Sequence, residues 1–462
     1  MGFNGIWLMP IMPSTTYHKY DVIDYCDIDS QYGNIDDFKL LLDECHKRGI
    51  NVIIDFVMNH SSSKNPWFLE ACEYLKGLKE GQDADSSECK YVDYYNFSKE
   101  QVNSTYYKVY GSEYYYEGSF WEEMPDLKLT NPVVKKEFED IAKFWIDLGV
   151  DGFRMDAVMH FEEGDVSTNN EILNGFYEYC KSLKPDFYMV SEVWAGETTI
   201  ADYYGSKTPS MFNFDTSSAE GCLARTAMGR YSAQRFVETM VEYQDIYSAQ
   251  NPDYIDAPFL TNHDQVRFAN NVQSVENNMK MAAGLLLMMN GSPFVYYGEE
   301  IGMQSSGKED ENKRLPMRWS DEDTSGIPNG PSGCKKDIEY KVEALDKQLE
   351  DPDSLLNYYK RALLIRNQNP EIARGKVEII ESLTNEKQAV ITKSYEDSKI
   401  AIVYNTQEEN CEIDVTGSEL ENCEIVASLT LLPEEEITEE ASVIKMPAKS
   451  IAVLKLTGIS QQ

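Results

Sequence analysis

Four stretches join ionisable residues to apolar runs. "NVIIDFVMNH" (51–60) carries Asp55, Asn59 and His60, and "VDGFRMDAVMH" (150–160) carries Arg154, Asp156 and His160. "DFYMVSEVW" (186–194) carries Glu192, and "DAPFLTNHDQVR" (256–267) carries His263 and Asp264. Each run reads as a buried strand, and a lone buried charge costs several kcal/mol. Arg154 and Asp156 stand two apart on such a strand, so they share a face. The guanidinium is then expected to lower the Asp156 pKa and to aim the carboxylate. Glu192 sits two residues from Trp194, where burial favours the protonated acid. An ionised carboxylate facing a protonated one is what a retaining glycosidase needs. Asp264 is the third acid, suited to gripping sugar hydroxyls and stabilising an oxocarbenium-like transition state. Singly, each acid is as readily a helix cap or an ion-pair partner. Three acids at the ends of three strands are harder to explain that way.

Such acids meet only if the strand ends meet. Strand-like runs fall at 5–9, 51–58, 150–156, 186–192, 211–215, 255–262 and 292–297. Helical apolar spacing falls at 35–48, 133–148, 171–183, 233–247, 277–289 and 355–366. This alternation predicts parallel strands with crossover helices, hence an α/β chain built on a (β/α)8 barrel. A barrel places chemistry at the C-terminal ends of its strands. The rival, a doubly wound open sheet, usually carries a Gly-rich phosphate loop, and the sequence has none.

Two regions break the rhythm. Residues 60–130 are too long for a simple βα loop and hold ten of the 30 tyrosines, so a small inserted domain is expected there. From residue 372 the pattern alternates, as in "KQAVITKSY", "KIAIVYN" and "SIAVLKL", which predicts an antiparallel β-sandwich domain. The expected domains are therefore 1–59 with 131–371 for the barrel, 60–130 for the insertion and 372–462 for the sandwich.

Composition narrows the partners. The 462 residues carry a formal net charge of −37 and are 42% hydrophobic. Nucleic acid is excluded as a partner, because phosphate binding needs clustered Lys and Arg. No run of about 18 apolar residues suggests a membrane span. The nine cysteines lack metal spacing and pairing, which argues against a disulfide framework. The strand-like opening "GFNGIWLMPI" leaves localisation open, secreted or cytoplasmic. Oligomeric state is open as well.

With these residues in view, the chain resembles the α-amylase superfamily of retaining glycoside hydrolases. "DFVMNH", "GFRMDAVMH", "EVW" and "TNHD" stand in the family's order and spacing. "MPDLKLTNP", "GSPFVYYGEEIGM", "DENKRLPMRW" and "MPAKSIAVLKL" resemble further family segments. The resemblance implies Asp156 as nucleophile, Glu192 as general acid/base and Asp264 as transition-state stabiliser, with Arg154 beside the nucleophile. It places Asp55, His60, His263, Asp310 and Arg314 on hydroxyls of the central glucose. His160 joins the substrate-binding set. Tyr20 is the implied aromatic platform under that sugar, with His18 beside it.

The resemblance also implies a structural calcium ion in many members, held here by Asn59, Asp126 and the carbonyl of His160. No redox cofactor is implied. The family's chain carries a strand and helix before "GFNGIWLMPI", so a barrel lacking its first strand and helix is expected, with the insertion after the family's third strand. Alanine after the nucleophile (Ala157) is more usual in the family's enzymes for α-1,4 bonds, whereas Met159 replaces a lysine that many α-amylases use. The implied activity is endo-type hydrolysis of α-1,4-glucans such as starch, glycogen or maltodextrin. The alternatives are an α-glucosidase, a neopullulanase-like enzyme or a glucan transferase, and a catalytically silent glucan-binding fragment. A metal-dependent sugar-phosphate enzyme on the same fold has little support, since no phosphate loop follows the late strands.

Overall fold

The computed structural model describes residues 1–307, 309–334, 342–421 and 423–456. Two compact units divide the chain, and each is described by itself.

The first unit comprises Phe3–Trp194 and Thr199–Met211. Its parallel strands follow the order Gly5–Leu8, Asn51–Phe56, Gly152–Met155, Tyr188–Ser191, and then Ser210–Met211. The register sets Asp55 opposite Arg154, and Met155 opposite Ser191. Helices Ile35–His46, Pro132–Leu148 and Val166–Leu183 make the crossovers. Their limits follow local chemistry. Asn34 closes a capping box on the first helix. Asn131 caps the second, with Pro132 in its first turn. Gly149 ends it in the left-handed region at φ 111°. Gly152 is needed for another reason: a Cβ there would lie 2.2 Å from the Tyr188 carbonyl oxygen. The strand that leads to Asp156 can approach its neighbour so closely only as glycine.

The insertion, expected from sequence as a small domain rich in tyrosine, has its own small framework. Helix Pro66–Gly77 precedes three short antiparallel strands, ordered Phe97–Ser98, Tyr115–Glu117, Tyr106–Lys108. Phe68 packs its ring at 5.1 Å from Tyr95 and 4.8 Å from Tyr116. The insertion returns to the sheet through Leu127, whose N–H donates to the Asn59 carbonyl at 2.8 Å.

The second unit comprises Met1–Gly2, Ala195–Thr198 and Phe212–Gln462. Phe212 pairs in parallel with Ala257, and Phe259 makes a parallel bridge to Phe294. The run at 292–297 therefore forms one bridge, where a full strand is expected. Its helices include Ala233–Gln250, Glu276–Met288 and Leu355–Gln368. The C-terminal part is antiparallel throughout. Five strands follow the order Lys376–Ile379, Gln388–Tyr395, Ser398–Asn405, Ser450–Lys455, Glu424–Leu429. Three more follow the order Cys411–Asp414, Val443–Met446, Thr438–Glu440. Val390, Val403 and Leu454 of the larger sheet share one buried core with Ile413, Ile444 and Met446 of the smaller. Two sheets facing across one core make a sandwich.

All nine cysteines are free. Among the described residues, no helix is long and apolar enough to cross a membrane.

Candidate active site

Arg154 is the hub of the first unit's polar cluster. Its side chain is 1% exposed, beside Asp55 at 0%, Asp156 at 9% and Glu192 at 11%. Nη1 donates to Asp55 Oδ1 at 2.9 Å and also to Asp156 Oδ1. Nη2 donates to Glu192 Oε1 at 2.6 Å. One guanidinium therefore holds three carboxylates by charge-assisted hydrogen bonds. Sequence reasoning pairs Arg154 with Asp156 and gives Glu192 an aromatic neighbour instead. In the structure the Glu192 carboxylate faces the guanidinium and accepts the Ala157 N–H at 3.1 Å through Oε2, while Trp194 is 53% exposed.

Strand register explains how Asp156 and Glu192 meet. Met155 and Ser191 are the last paired residues of adjacent parallel strands. Asp156 and Glu192 are the next pair, and the Glu192 N–H donates to the Met155 carbonyl at 3.0 Å. Neighbouring strands run about 4.8 Å apart, so the two acids leave the sheet side by side at one level. The chain then turns at Ala157, whose φ of 50° is left-handed for a residue with a Cβ. That turn aims its N–H at Glu192. Backbone held in this region clusters at functional sites.

Burial, partly offset by Arg154 and reinforced by the charges of Asp156 and Glu192, pushes the Asp55 carboxyl up to about 8. Three acids share one cation, so the proton retained near neutral pH belongs to the cluster.

The other predicted residues of this unit lie around that core. The Tyr20 hydroxyl donates to Asp55 Oδ2 at 3.0 Å, and the Arg154 guanidinium lies 5.8 Å from the Tyr20 ring centre. His18 Nδ1 accepts the Tyr20 N–H at 3.2 Å, which assigns the proton of the neutral ring to Nε2. His60 is buried, and burial lowers its pKa so that the ring is neutral. Its Nε2 has no partner among the described residues. The His160 ring has Nδ1 2.7 Å from Glu163 Oε2 and lies edge-on to Phe120. Phe120 also contacts the His60 ring at 5.2 Å. Trp7, 5.2 Å from the Arg154 guanidinium, escaped sequence reading. Its signal was the one aromatic residue in the first apolar run.

Asn59 and Asp126 come together, with Asn59 Nδ2 3.4 Å from Asp126 Oδ1. The second Asp126 oxygen accepts from the N–H and hydroxyl of Ser119. No cluster of three or more His, Cys, Asp or Glu side chains suited to a metal occurs among the described residues.

The second unit holds its own constellation. Asp264 Oδ1 accepts from Arg314 Nη2 at 2.8 Å, and Oδ2 lies 3.1 Å from His263 Nε2. Arg314 Nε donates to the His263 carbonyl at 3.1 Å. Arg314 Nη2 also lies 3.9 Å from Asp310. His263 is 1% exposed, whereas the Asp264 carboxylate is 28% exposed.

Comparison with known proteins follows the same lines. The family described as "Alpha amylase, catalytic domain" matches residues 1–375. "Alpha-amylase 3" of Dictyoglomus thermophilum is 39% identical over 384 residues, which is 83% of this chain and 73% of that protein. The solved structure of Eubacterium rectale Amy13B superposes with a TM-score of 0.93 at 41% identity, covering 98% of this chain and 88% of that one. The α-amylase from H. orenii gives a TM-score of 0.82 at 32% identity, over 98% and 90% of the two chains.

Proposed function

The chain belongs to the α-amylase family of glycoside hydrolases, whose catalytic domain is a (β/α)8 barrel, and we propose that it hydrolyses internal α-1,4-glucosidic bonds of starch-like glucans with retention of configuration. The observation that carries this reading is the position of Asp156 and Glu192 on adjacent strands, bridged by the two terminal nitrogens of Arg154. Retaining enzymes hold their two carboxyl groups about 5 Å apart, inverting ones about 6.5–9.5 Å. Neighbouring strands at one level favour the shorter spacing.

In this reading Asp156 attacks the anomeric carbon, while Glu192 gives its proton to the departing glycosidic oxygen. A covalent glucosyl–Asp156 ester forms. Glu192, now the base, takes a proton from water, the water oxygen attacks the anomeric carbon, and Asp156 leaves. Asp264, oriented by Arg314 and His263 within its own unit, stabilises the positive charge that develops on the sugar ring. Tyr20, Asp55 and His60 receive the glucose. The buried neutral imidazole of His60, with Nε2 unpartnered, suits a sugar hydroxyl. No redox cofactor enters these steps.

The proposal extends to a structural calcium ion on Asn59, Asp126 and the His160 carbonyl. Asn59 and Asp126 already lie together, and both are oxygen donors of the kind calcium takes. The Asp126 carboxylate is buried with neutral donors, Ser119 and Asn59, so a cation there would gain by pairing with it. No catalytic step passes through the ion.

The test is proton NMR of the first product released from maltoheptaose. The α-anomer of an internal fragment is expected. A β-anomer contradicts retention, faster turnover of isomaltose contradicts the linkage, and accumulation of longer chains from maltotriose identifies a transferase.

A further inference from the structure

We infer that Lys313 is a positioning residue for the transition-state acid, acting on the backbone of Asp264. The inference rests on the reading of Asp264 given above. Lys313 Nζ donates to the Asp264 carbonyl at 2.7 Å and to Asp310 Oδ1 at 2.7 Å. Its side chain is 11% exposed. Next to it, Arg314 bonds the His263 carbonyl and the Asp264 carboxylate. Two consecutive cations thus hold two consecutive residues, one by the main chain and the other by main chain and side chain.

The segment that carries these cations is itself anchored. The Tyr296 hydroxyl donates to the Lys313 carbonyl at 3.2 Å, and the Tyr297 hydroxyl donates to the Leu315 carbonyl at 2.6 Å. Both tyrosine rings centre 4.7 Å from the Arg267 guanidinium, which is buried and donates to the Tyr297 carbonyl at 2.6 Å. Arg267 lies three residues after Asp264, and its own N–H is fixed by the Ser305 hydroxyl at 3.1 Å. The contacts run from Asp264 through Lys313, Tyr296 and Arg267 back to the Asp264 loop. Such a ring fixes the main chain on the C-terminal side of Asp264, while Arg314 holds the His263 carbonyl before it. Lys313 is its link with the shortest path to the acid. A carbonyl held by an ammonium cannot swing, and a shift of about 1 Å in a group that meets the transition state costs roughly a hundredfold in rate.

The experiment compares Lys313→Met, Lys313→Arg, Asp264→Asn and the Lys313→Met/Asp264→Asn double variant on an activated α-glucosyl fluoride and on maltoheptaose. Thermal unfolding of each variant shows whether it folds. Lys313→Met is expected to lose tenfold or more in kcat with KM within about threefold, and Lys313→Arg to recover at least half of that loss on a logarithmic scale. In the Asp264→Asn background the same change is expected to matter less than twofold, because a residue acting through a lost carboxylate has nothing left to position. Equal losses in both backgrounds, or an unchanged kcat in Lys313→Met, overturn the role of Lys313. Full activity of Asp264→Asn overturns the reading of Asp264 instead. If Lys313→Met does not fold, Lys313→Gln carries the same comparison.

Discussion

Arg154 Nη2 lies 2.6 Å from Glu192 Oε1, although 38 residues and a helix separate the two in the chain. The guanidinium that stands beside Asp156, the proposed nucleophile, also holds Glu192, the proposed acid/base. The geometry of this proposed cleaving pair therefore depends on one buried residue.

Replacing Arg154 with methionine keeps its length and removes that hub. Three buried carboxylates then lose their cation, and breaking such a pairing costs about 3–5 kcal/mol. Arg154→Met is expected to unfold at a markedly lower temperature and to lose a hundredfold or more in kcat. Arg154→Lys keeps the charge without the fork, so it should recover stability more than activity. Calorimetry and steady-state kinetics on the two variants check this. Equal recovery of both properties by lysine speaks against the fork.

Asp55 supplies a pH signature. Its folded pKa is raised to about 8, against about 3.9 in an unfolded chain. Between those values the folded protein binds the proton and the unfolded chain does not. The contribution of this group to stability therefore falls as pH rises from about 4 to about 8, by up to about 1.4 kcal/mol per pH unit, and is flat above. Subtracting the stability of Asp55→Asn cancels the titrating groups outside the cluster of Asp55, Asp156 and Glu192. Denaturant unfolding at pH 5, 6.5 and 8 should show the wild type losing stability relative to the variant as pH rises. Parallel curves contradict it.

Calcium binding should appear in stability first. Chelation is expected to lower the unfolding temperature by a few degrees, and added calcium to restore it, because an ion bound to the folded state alone stabilises it by mass action. Asp126→Asn should remove the response. An unfolding temperature indifferent to both chelator and calcium contradicts the site at Asn59 and Asp126.

Much of this was legible in the sequence. Short apolar runs marked the parallel strands, and helical spacing marked Ile35–His46 and Pro132–Leu148 to within two residues at each end. The acids stood out because each follows such a run. Several features escaped. Helix Glu197–Tyr204 has only eight residues, with two threonines and an isoleucine whose β-branching reads as strand. Helix Pro66–Gly77 announced itself by Asn65 and Pro66, a signal passed over by reading 60–130 as one inserted domain without internal elements. The sharing of Arg154 arises from strand register: Asp55 lies 99 residues away in sequence but directly opposite in the sheet. Lys313 carries no local mark at all, since its partner Asp264 is 49 residues upstream.

The central claim is that Asp156 bonds to the sugar while Glu192 serves the proton. Trapping tests it most directly: incubate the enzyme with a 5-fluoro-α-glucosyl fluoride, digest it, and locate the added mass by peptide mass spectrometry. The account predicts one glucosyl group on Asp156, formed far more slowly at poorer leaving groups when Glu192 is changed to glutamine. A label on Glu192 or Asp264, or steady turnover with no ester ever trapped on Asp156, would contradict it.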